Sequence, residues 1–475
     1  MVELRLGGCL VSGCARGPHV LVIVQNLPVP LDRRVWLECR ALVDAGYRVS
    51  VVCPRGSGDP RHELIDRVDI HRYRPAPSAG GAVGYLWEFV YCWLRTAWLV
   101  WRIWRRERFD VIQACNPPDT FWALARLYTR RGVRFVYDQH DLNPEVFRSR
   151  FGEPTGAARR AQYHALLWLE RMTYRTAHHV ISTNESYRRV ALTRGGRDPD
   201  SVTVVRSGPD TDRMRPRDSD ARLRHGRRYL AVYLGVMGPQ DGVDLVLRAL
   251  DVLVHRMGRD DLHVALLGFG DCLDDLVALA DTLGLSDRVT FTGRADPDMV
   301  AEYLSAAHVG VGPDPTSPLN DVSTMNKTME YLSFALPVVT FDLVETRVSA
   351  GDAARYVDPC PPPDDAERFA KAIADLLDDP VAREQMGVAA RRRAVETLDW
   401  QPQRRAYVRV YDDLLGLPTR EWPDRPRPAV EPGSRLVDTD DPEALRYFAR
   451  TRHTTDHTGD DPAEHSGDDD AGDQT

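Results

Sequence analysis

The sequence predicts an α/β protein of two successive doubly wound domains facing a central cleft, followed by a disordered acidic tail. Three observations point there. Apolar runs of strand length alternate with amphipathic helical stretches, the pattern of parallel sheets covered by helices. The alternation breaks at a polar, proline-bearing stretch, 206–228, and restarts at Tyr229. A length of 475 residues with 43% hydrophobic content suits two ordinary cores plus extensions.

The elements follow in order. His19–Asn26 (HVLVIVQN) is a continuous apolar run of the kind buried on both faces of a parallel sheet. Asp32 is a helix N-cap, and the helix it opens reaches Ala45 and stops at Gly46, ahead of a strand at Arg48–Cys53. Val68–Tyr73 reads as a third strand. Asp110–Asn116 and Val133–Asp138 are strands flanking a helix over Asp119–Arg131. A long helix, Ala157–Thr176, leads to strands at His178–Thr183 and Ser201–Val205. In the second half, strands fall at Tyr229–Leu234, His263–Leu267, Val289–Thr292, Val309–Gly312 and Pro337–Phe341. Helices over Asp364–Leu377, Val381–Thr397 and Gln401–Leu415 complete it. The expected division is a flexible N-terminus (1–18), a first domain (19–208), a linker (209–228), a second domain (229–399), a helix returning to the first domain (400–416) and a mostly disordered tail (417–475). One short helix is expected in that tail, near Glu443–Thr451.

Composition excludes several classes. The eight cysteines are scattered, with no metal-ligand spacing, so buried thiols in a reducing compartment are expected rather than a disulfide framework. The first twenty residues lack the basic start and apolar core of a signal peptide, and no run is long enough to span a bilayer. A cytoplasmic protein is expected. The formal charge of -8 equals that of eight acids within 453–475, which leaves a neutral body. Such a body gives no expectation of nucleic-acid binding.

The richest stretch is Asn320–Thr340, NDVSTMNKTMEYLSFALPVVT. A polar loop, 314–323, feeds a helix whose first turns carry Lys327 and Glu330; Pro337 then opens a buried strand. Lys327 is one of only two lysines among 62 basic residues. Free N–H groups at a helix start attract an anion, and side chains of the first turns reach its neighbours. A carboxylate one turn beyond a lysine suits a diphosphate joined to a vicinal diol, as in a nucleotide sugar. An ordinary amphipathic helix with a solvated Lys and Glu is the alternative.

Seven strings carry a resemblance over about 19–415: LDRRVWLECRALVDAGYRVSVVCP, VYDQHDLNPE, YLGVMGPQDGVDLVLRAL, LLGFGD, VTFTGRADPDMVAEYLSAAHVGVGP, NKTMEYLSFALPVVTFD and ARYVDP. In their order and spacing they resemble the GT-B glycosyltransferases, and within them glycosyltransferase family 4. The resemblance implies two Rossmann-like domains, a nucleotide-sugar donor held mainly by the second, and an acceptor held by the first. It further implies transfer with retention at the anomeric carbon and no metal cofactor.

Site residues carry over where the strings match. Glu330 stands at the second glutamate of the family's Glu-x7-Glu motif, which implies a hydrogen bond to the nucleotide ribose. Val322 stands at the first, so Asp321, Ser323, Thr324 and Asn326 are the candidate substitutes for its donor contacts. The family's Gly-Arg-x4-Lys-Gly string reads here as Gly235–Gly242, with Val236 and Asp241 at the basic positions. Neither neutralises a diphosphate, which leaves Lys327, Arg206 and the backbone of Gly238 as candidates. His140 and Asp141 follow a strand and are candidate catalytic groups opening on the cleft; a histidine capping a strand–helix loop is the other reading. Arg33 and Arg34, just inside a helix start, are candidates to meet acceptor or phosphate, or are ordinary surface charges. Arg294 falls where the family wraps the nucleotide base, and Gly268 lies in a loop resembling a glycine-rich phosphate loop.

Tyr85–Arg106 holds five tryptophans and ends in two arginines. Tryptophan with arginine suits a membrane interface, with rings at head-group depth and guanidinium groups on lipid phosphate. A core helix is the other reading, packed through the stripe Leu86, Val90, Leu94, Ala97 and Trp101. The expected function is sugar transfer to a hydroxyl acceptor, glycolipid or polysaccharide, in cell-surface glycan assembly, with peripheral contact at the inner face of the plasma membrane. A nucleotide-sugar epimerase of the same fold, or an inactive nucleotide-sugar-binding protein, are the alternatives.

Overall fold

The computed structural model describes residues 17–76, 81–422, 429–431, 433–452 and 454–455. The expected flexible N-terminus and acidic C-terminal end lie almost wholly outside them. The first domain is built on an eight-stranded sheet in the order His62–Ile65, Val68–Tyr73, Arg48–Pro54, His19–Ile23, Val111–Cys115, Arg134–Gln139, His179–Ser182, Val202–Val204. Every neighbouring pair is parallel except the hairpin of the first two, which closes one edge. The second domain has six parallel strands in the order Val289–Gly293, Leu262–Leu267, Tyr229–Leu234, Val309–Gly312, Val338–Phe341, Ala354–Val357.

Both sheets are helix-covered, which explains why the strands read as unbroken apolar runs: Val20, Leu21, Val22 and Ile23 are all buried, as are Leu230 through Tyr233. Strand order reverses between His19–Ile23 and Val111–Cys115 in one sheet, and between Tyr229–Leu234 and Val309–Gly312 in the other. Crevices beside such reversals, at the carboxyl ends of the strands, are where doubly wound sheets bind ligands.

Helix Trp400–Leu415 crosses to the first domain and buries Tyr407, Val408, Val410 and Tyr411 among Val20, Val35 and Val49. Tyr47 donates to Asp412 at 2.6 Å, and Arg404 to Asp44 at 3.0 Å, fixing the crossing.

The stretch expected as a linker, 209–228, is packed against its surroundings: Arg217 is held by Ser305 and Asp298, Ser219 is fully buried, and Ser219–Asp220 pairs with Thr454–Thr455. The one short helix expected in the tail, near Glu443–Thr451, is present and packed. Helix Pro442–Thr451 buries Leu445 and Phe448 against Ala335. Beyond it Arg452, also buried, donates to the carbonyls of Phe334 and Ala335. Arg391 adds a bond to the carbonyl of Ser333 at 2.9 Å. Two guanidinium groups thus satisfy the carbonyls at the end of helix Asn326–Ser333, where cations also complement the helix dipole.

Helix Gly81–Arg106 turns a different face outward from the one expected. Val90, Leu94 and Trp101 of the expected packing stripe are exposed, and with Trp87 and Trp98 they form an outer row 44–56% exposed. The inner face consists of Leu99, Val100 and Ile103, with Trp93, Ala97 and Trp104. Large apolar residues occupy both faces, so periodicity alone did not determine which one packs. Arg102 stacks over Trp98 and Arg105 over Trp101, at 5.5 and 5.7 Å. No helix among the described residues is long and apolar enough to cross a membrane.

Candidate functional site

The second-domain wall of the cleft forms where Gly235 leaves one strand and Asp314 follows another, on either side of the strand-order reversal. Helix Asn326–Ser333 starts between them, and its first N–H groups have no partner within the helix. Lys327 is buried rather than solvated. Its Nζ donates to Asp314 Oδ1 at 2.5 Å and lies 5.0 Å from the Tyr233 ring centre. Its chain runs under Gly235, where a Cβ would meet Lys327 Cε at 3.3 Å. Glu330, one turn on, faces the first domain and forms an ion pair with Arg33 across the cleft. Of the two side chains, Glu330 reaches the gap between domains, while Lys327 stays within the second domain on Asp314.

The first-domain wall is a buried charge network. Asp32 accepts from Val35 N at 3.1 Å and opens helix Arg33–Asp44, so that Arg33 and Arg34 diverge. Arg33 points into the cleft. Arg34 is not at the cleft surface as expected: it is buried, donating to Asp138 at 2.9 Å, the Val205 carbonyl at 2.8 Å and Ser207 at 3.0 Å, with Glu38 3.0 Å away. Gln113 donates to Glu38 and Asp138 and accepts from Tyr407 of the crossing helix at 2.5 Å.

His140 stands at the edge of this network, its Nε2 2.7 Å from Asp138. Burial disfavours the imidazolium, yet the adjacent Asp138 charge prevails and lifts its pKa to about 9. Burial also opposes the Asp138 carboxylate, but Arg34 and His140 hold its pKa well below the usual range. Glu38 goes the other way: burial outweighs Arg34 and lifts it to about 8. At neutral pH His140 is a cation and a donor. Asp141 is half-buried, and burial raises its carboxyl pKa. Asn116 holds this corner, accepting from the N–H groups of His140 and Asp141 and donating to the Asp141 carbonyl.

Several expected donor contacts are engaged elsewhere. Asp321 accepts from Val344 N at 3.0 Å and so caps the next helix. Ser323 lies 3.0 Å from the Tyr187 hydroxyl, and Thr324 accepts from Asn184 at 3.0 Å, so this loop is a seam between domains. Arg206 pairs with Glu345, which also accepts from Ser186 at 2.6 Å. Asn326 is exposed at the helix start. The Gly238 N–H is already bonded to Asp241 Oδ2 at 3.0 Å.

Gly268 is a packing glycine rather than a phosphate-binding one. Its N–H donates to the Gly293 carbonyl, and a Cβ there would lie 1.8 Å from the Gly235 oxygen. Arg294, exposed, stacks on Phe269 at 5.9 Å. Sequence reasoning missed Asp314, Tyr233, Glu38, Asp138 and Glu345. Asp138, two residues before His140 at a strand end, had a readable signal; the others meet their partners only through folding. A separate groove of about 920 Å³ runs along Asp244, Arg248 and Arg256 and contains none of the cleft residues above.

The profile "Glycosyltransferase Family 4" matches residues 31–213, and "Glycosyl transferases group 1" matches 228–379. The chain is 31% identical over 245 residues to the GDP-mannose-dependent alpha-(1-6)-phosphatidylinositol monomannoside mannosyltransferase of Mycolicibacterium smegmatis, covering 45% of this chain and 62% of that one. It is 30% identical over 251 residues to the D-inositol 3-phosphate glycosyltransferase of Thermomonospora curvata, covering 49% and 56%. The match thus spans little more than half the length of these curated relatives. Among solved structures, sucrose-phosphate synthase from Thermosynechococcus elongatus superposes with a TM-score of 0.67 at 18% identity, covering 84% of this chain and 99% of that one. HepE of Anabaena, in complex with UDP and glucose, gives 0.61 at 16% identity, covering 84% and 100%. Two profiles that meet the two sheets in turn, and neighbours sharing both domains, lead to one conclusion: the chain belongs to the GT-B glycosyltransferases, in the group like family 4.

Proposed function

We propose that the protein moves a sugar from a nucleotide-diphosphate sugar to a hydroxyl acceptor, with retention of anomeric configuration and no metal cofactor. The observation that carries this reading is the start of helix Asn326–Ser333 at the strand-order reversal of the second sheet, with Glu330 reaching the first domain and Lys327 held on Asp314. On this reading Glu330 accepts from the ribose hydroxyls, releasing Arg33 as it does so. The free N–H groups at Asn326 and Lys327 meet the diphosphate. His140, held as a cation by Asp138, donates to a sugar hydroxyl. It is no general base at neutral pH, so the acceptor proton passes to the departing phosphate oxygen. Closing the domains expels water that would hydrolyse the donor.

The acceptor is proposed to be a glycolipid or growing polysaccharide reached at a membrane surface. The outward aromatic row of helix Gly81–Arg106, with arginines stacked on it, supports that setting. So does the phosphatidylinositol-bearing acceptor in the name of the M. smegmatis relative. The test is a thermal-shift screen of nucleotide sugars followed by product analysis with and without acceptor. Transfer only when acceptor is present supports the reading. Conversion of donor alone to an epimer, or binding without turnover, overturns it.

A further inference from the structure

The loop that ought to neutralise a leaving diphosphate has no cation in this chain. Val236 is exposed and apolar, and Asp241 is folded back onto Gly238 N. Lys327 is paired to buried Asp314, so together they bring no net charge, and Asp241 adds a negative group beside them. Apart from Arg294 on Phe269, the second-domain residues described above bring no free cation to the group the pocket must hold.

Resting on the reading above, we propose that Arg33 and Arg150 of the first domain bind the diphosphate of the donor in trans across the cleft. Arg33 already reaches over, meeting Glu330 through Nη1 while its side chain stays 44% exposed. A guanidinium offers five N–H donors in a planar fork, so one group can bridge a carboxylate and a phosphate. Arg150 lies near the end of helix Asn143–Phe151, exposed, with no ion-pair partner among the described residues. Its helix leaves the strand end that carries His140 on the cleft wall, and its charge favours the ionised form of Asp141 on its own domain and of Asp241 on the other. In transfer, the bond from the anomeric carbon to the β-phosphate oxygen breaks and its electron pair stays on that oxygen. The acceptor oxygen bonds the anomeric carbon, and the acceptor proton goes to the phosphate. The charge that develops on phosphate is met by both arginines only when the domains are closed, which couples closure to bond breaking.

The test compares GDP with GMP and UDP with UMP by calorimetry on the full chain. Wild type is expected to bind the diphosphate of its preferred base more tightly than the monophosphate. Arg33→Gln and Arg150→Gln are each expected to lose about tenfold in diphosphate affinity with monophosphate affinity unchanged, and the double variant to bring the two together. Arg150→Lys is expected to recover part of the loss. Both side chains are exposed, so melting temperatures serve as the folding control. Normal nucleotide binding with an unchanged diphosphate-to-monophosphate ratio in both variants overturns this assignment alone. No nucleotide binding by wild type overturns it together with the transferase reading.

Discussion

The two walls of the cleft are built differently. The first-domain wall is a closed network in which Arg34, Glu38, Asp138, Gln113 and His140 satisfy one another and a helix from the far end of the chain. The second-domain wall offers few side chains, Lys327 on Asp314 and Glu330 on Arg33, and the Glu330 pair reaches outside its own domain. One wall is fixed before any ligand arrives. The other is completed by whatever crosses the gap. Buried charge in the first wall therefore bears on stability and orientation, and the cross-cleft pair of Glu330 with half-exposed Arg33 on ligand recognition.

That contrast can be broken most forcefully at Asp138. Asp138→Ala leaves Arg34 buried without its main partner and is expected to cost about 3–5 kcal/mol of stability, read by chemical denaturation. A loss below 1 kcal/mol would show that the network is not structural. At the second wall, Glu330→Ala and Lys327→Ala are each expected to lower kcat/KM more than tenfold, roughly 1.4 kcal/mol or more. Glu330→Ala should leave the melting temperature nearly unchanged, and wild-type rates in both variants would refute their assignment.

The pH dependence of stability separates the walls further. His140 and Glu38 have raised pKa values, so the stability each contributes is fully present below its unfolded value and is lost as pH rises through about 9 and about 8. Asp138 has a depressed one, and its contribution is lost as pH falls below the ordinary carboxylate range. A stability maximum in acidic solution and a decline from about pH 5 to about pH 9, the part above about pH 6.5 shared by Glu38 and His140, are expected by denaturant titration, with a shallower decline above about pH 6.5 in His140→Gln. The smallest effect is at the outer row of the first domain. Trp98→Ala with Trp101→Ala is expected to weaken flotation with anionic vesicles several-fold and leave catalysis on a soluble acceptor intact. Unchanged flotation removes the membrane role of that row.

Much of the fold was legible because parallel strands buried on both faces carry an unmistakable composition, as at His19–Ile23 and Tyr229–Leu234. Helix Arg33–Asp44 was legible from its Asp32 cap and Gly46 stop. What could not be read was the direction of individual side chains. Arg33 and Arg34 are adjacent, and about 100° of helical rotation sends one to the cleft and the other into the core. The same ambiguity inverted the tryptophan-rich helix, whose two faces are both apolar. Around 442–452, proline and acid in the surroundings hid three apolar anchors and one buried arginine. Candidate donor contacts at Asp321 and Gly238 were misplaced because capping and turn bonds use the same atoms that could have met a ligand.

Arg452 has a practical consequence. Because it and Arg391 cap the carbonyl end of the helix whose start holds Lys327 and Glu330, the rear of the donor helix is anchored by a strap from more than a hundred residues downstream. A chain trimmed at the proline-rich stretch after Pro418 keeps every cleft residue but leaves the Phe334 and Ala335 carbonyls without their guanidinium donor and uncovers Ala335. Such a trimmed protein will behave as though its active site had been altered, and expression designs should extend through Thr455.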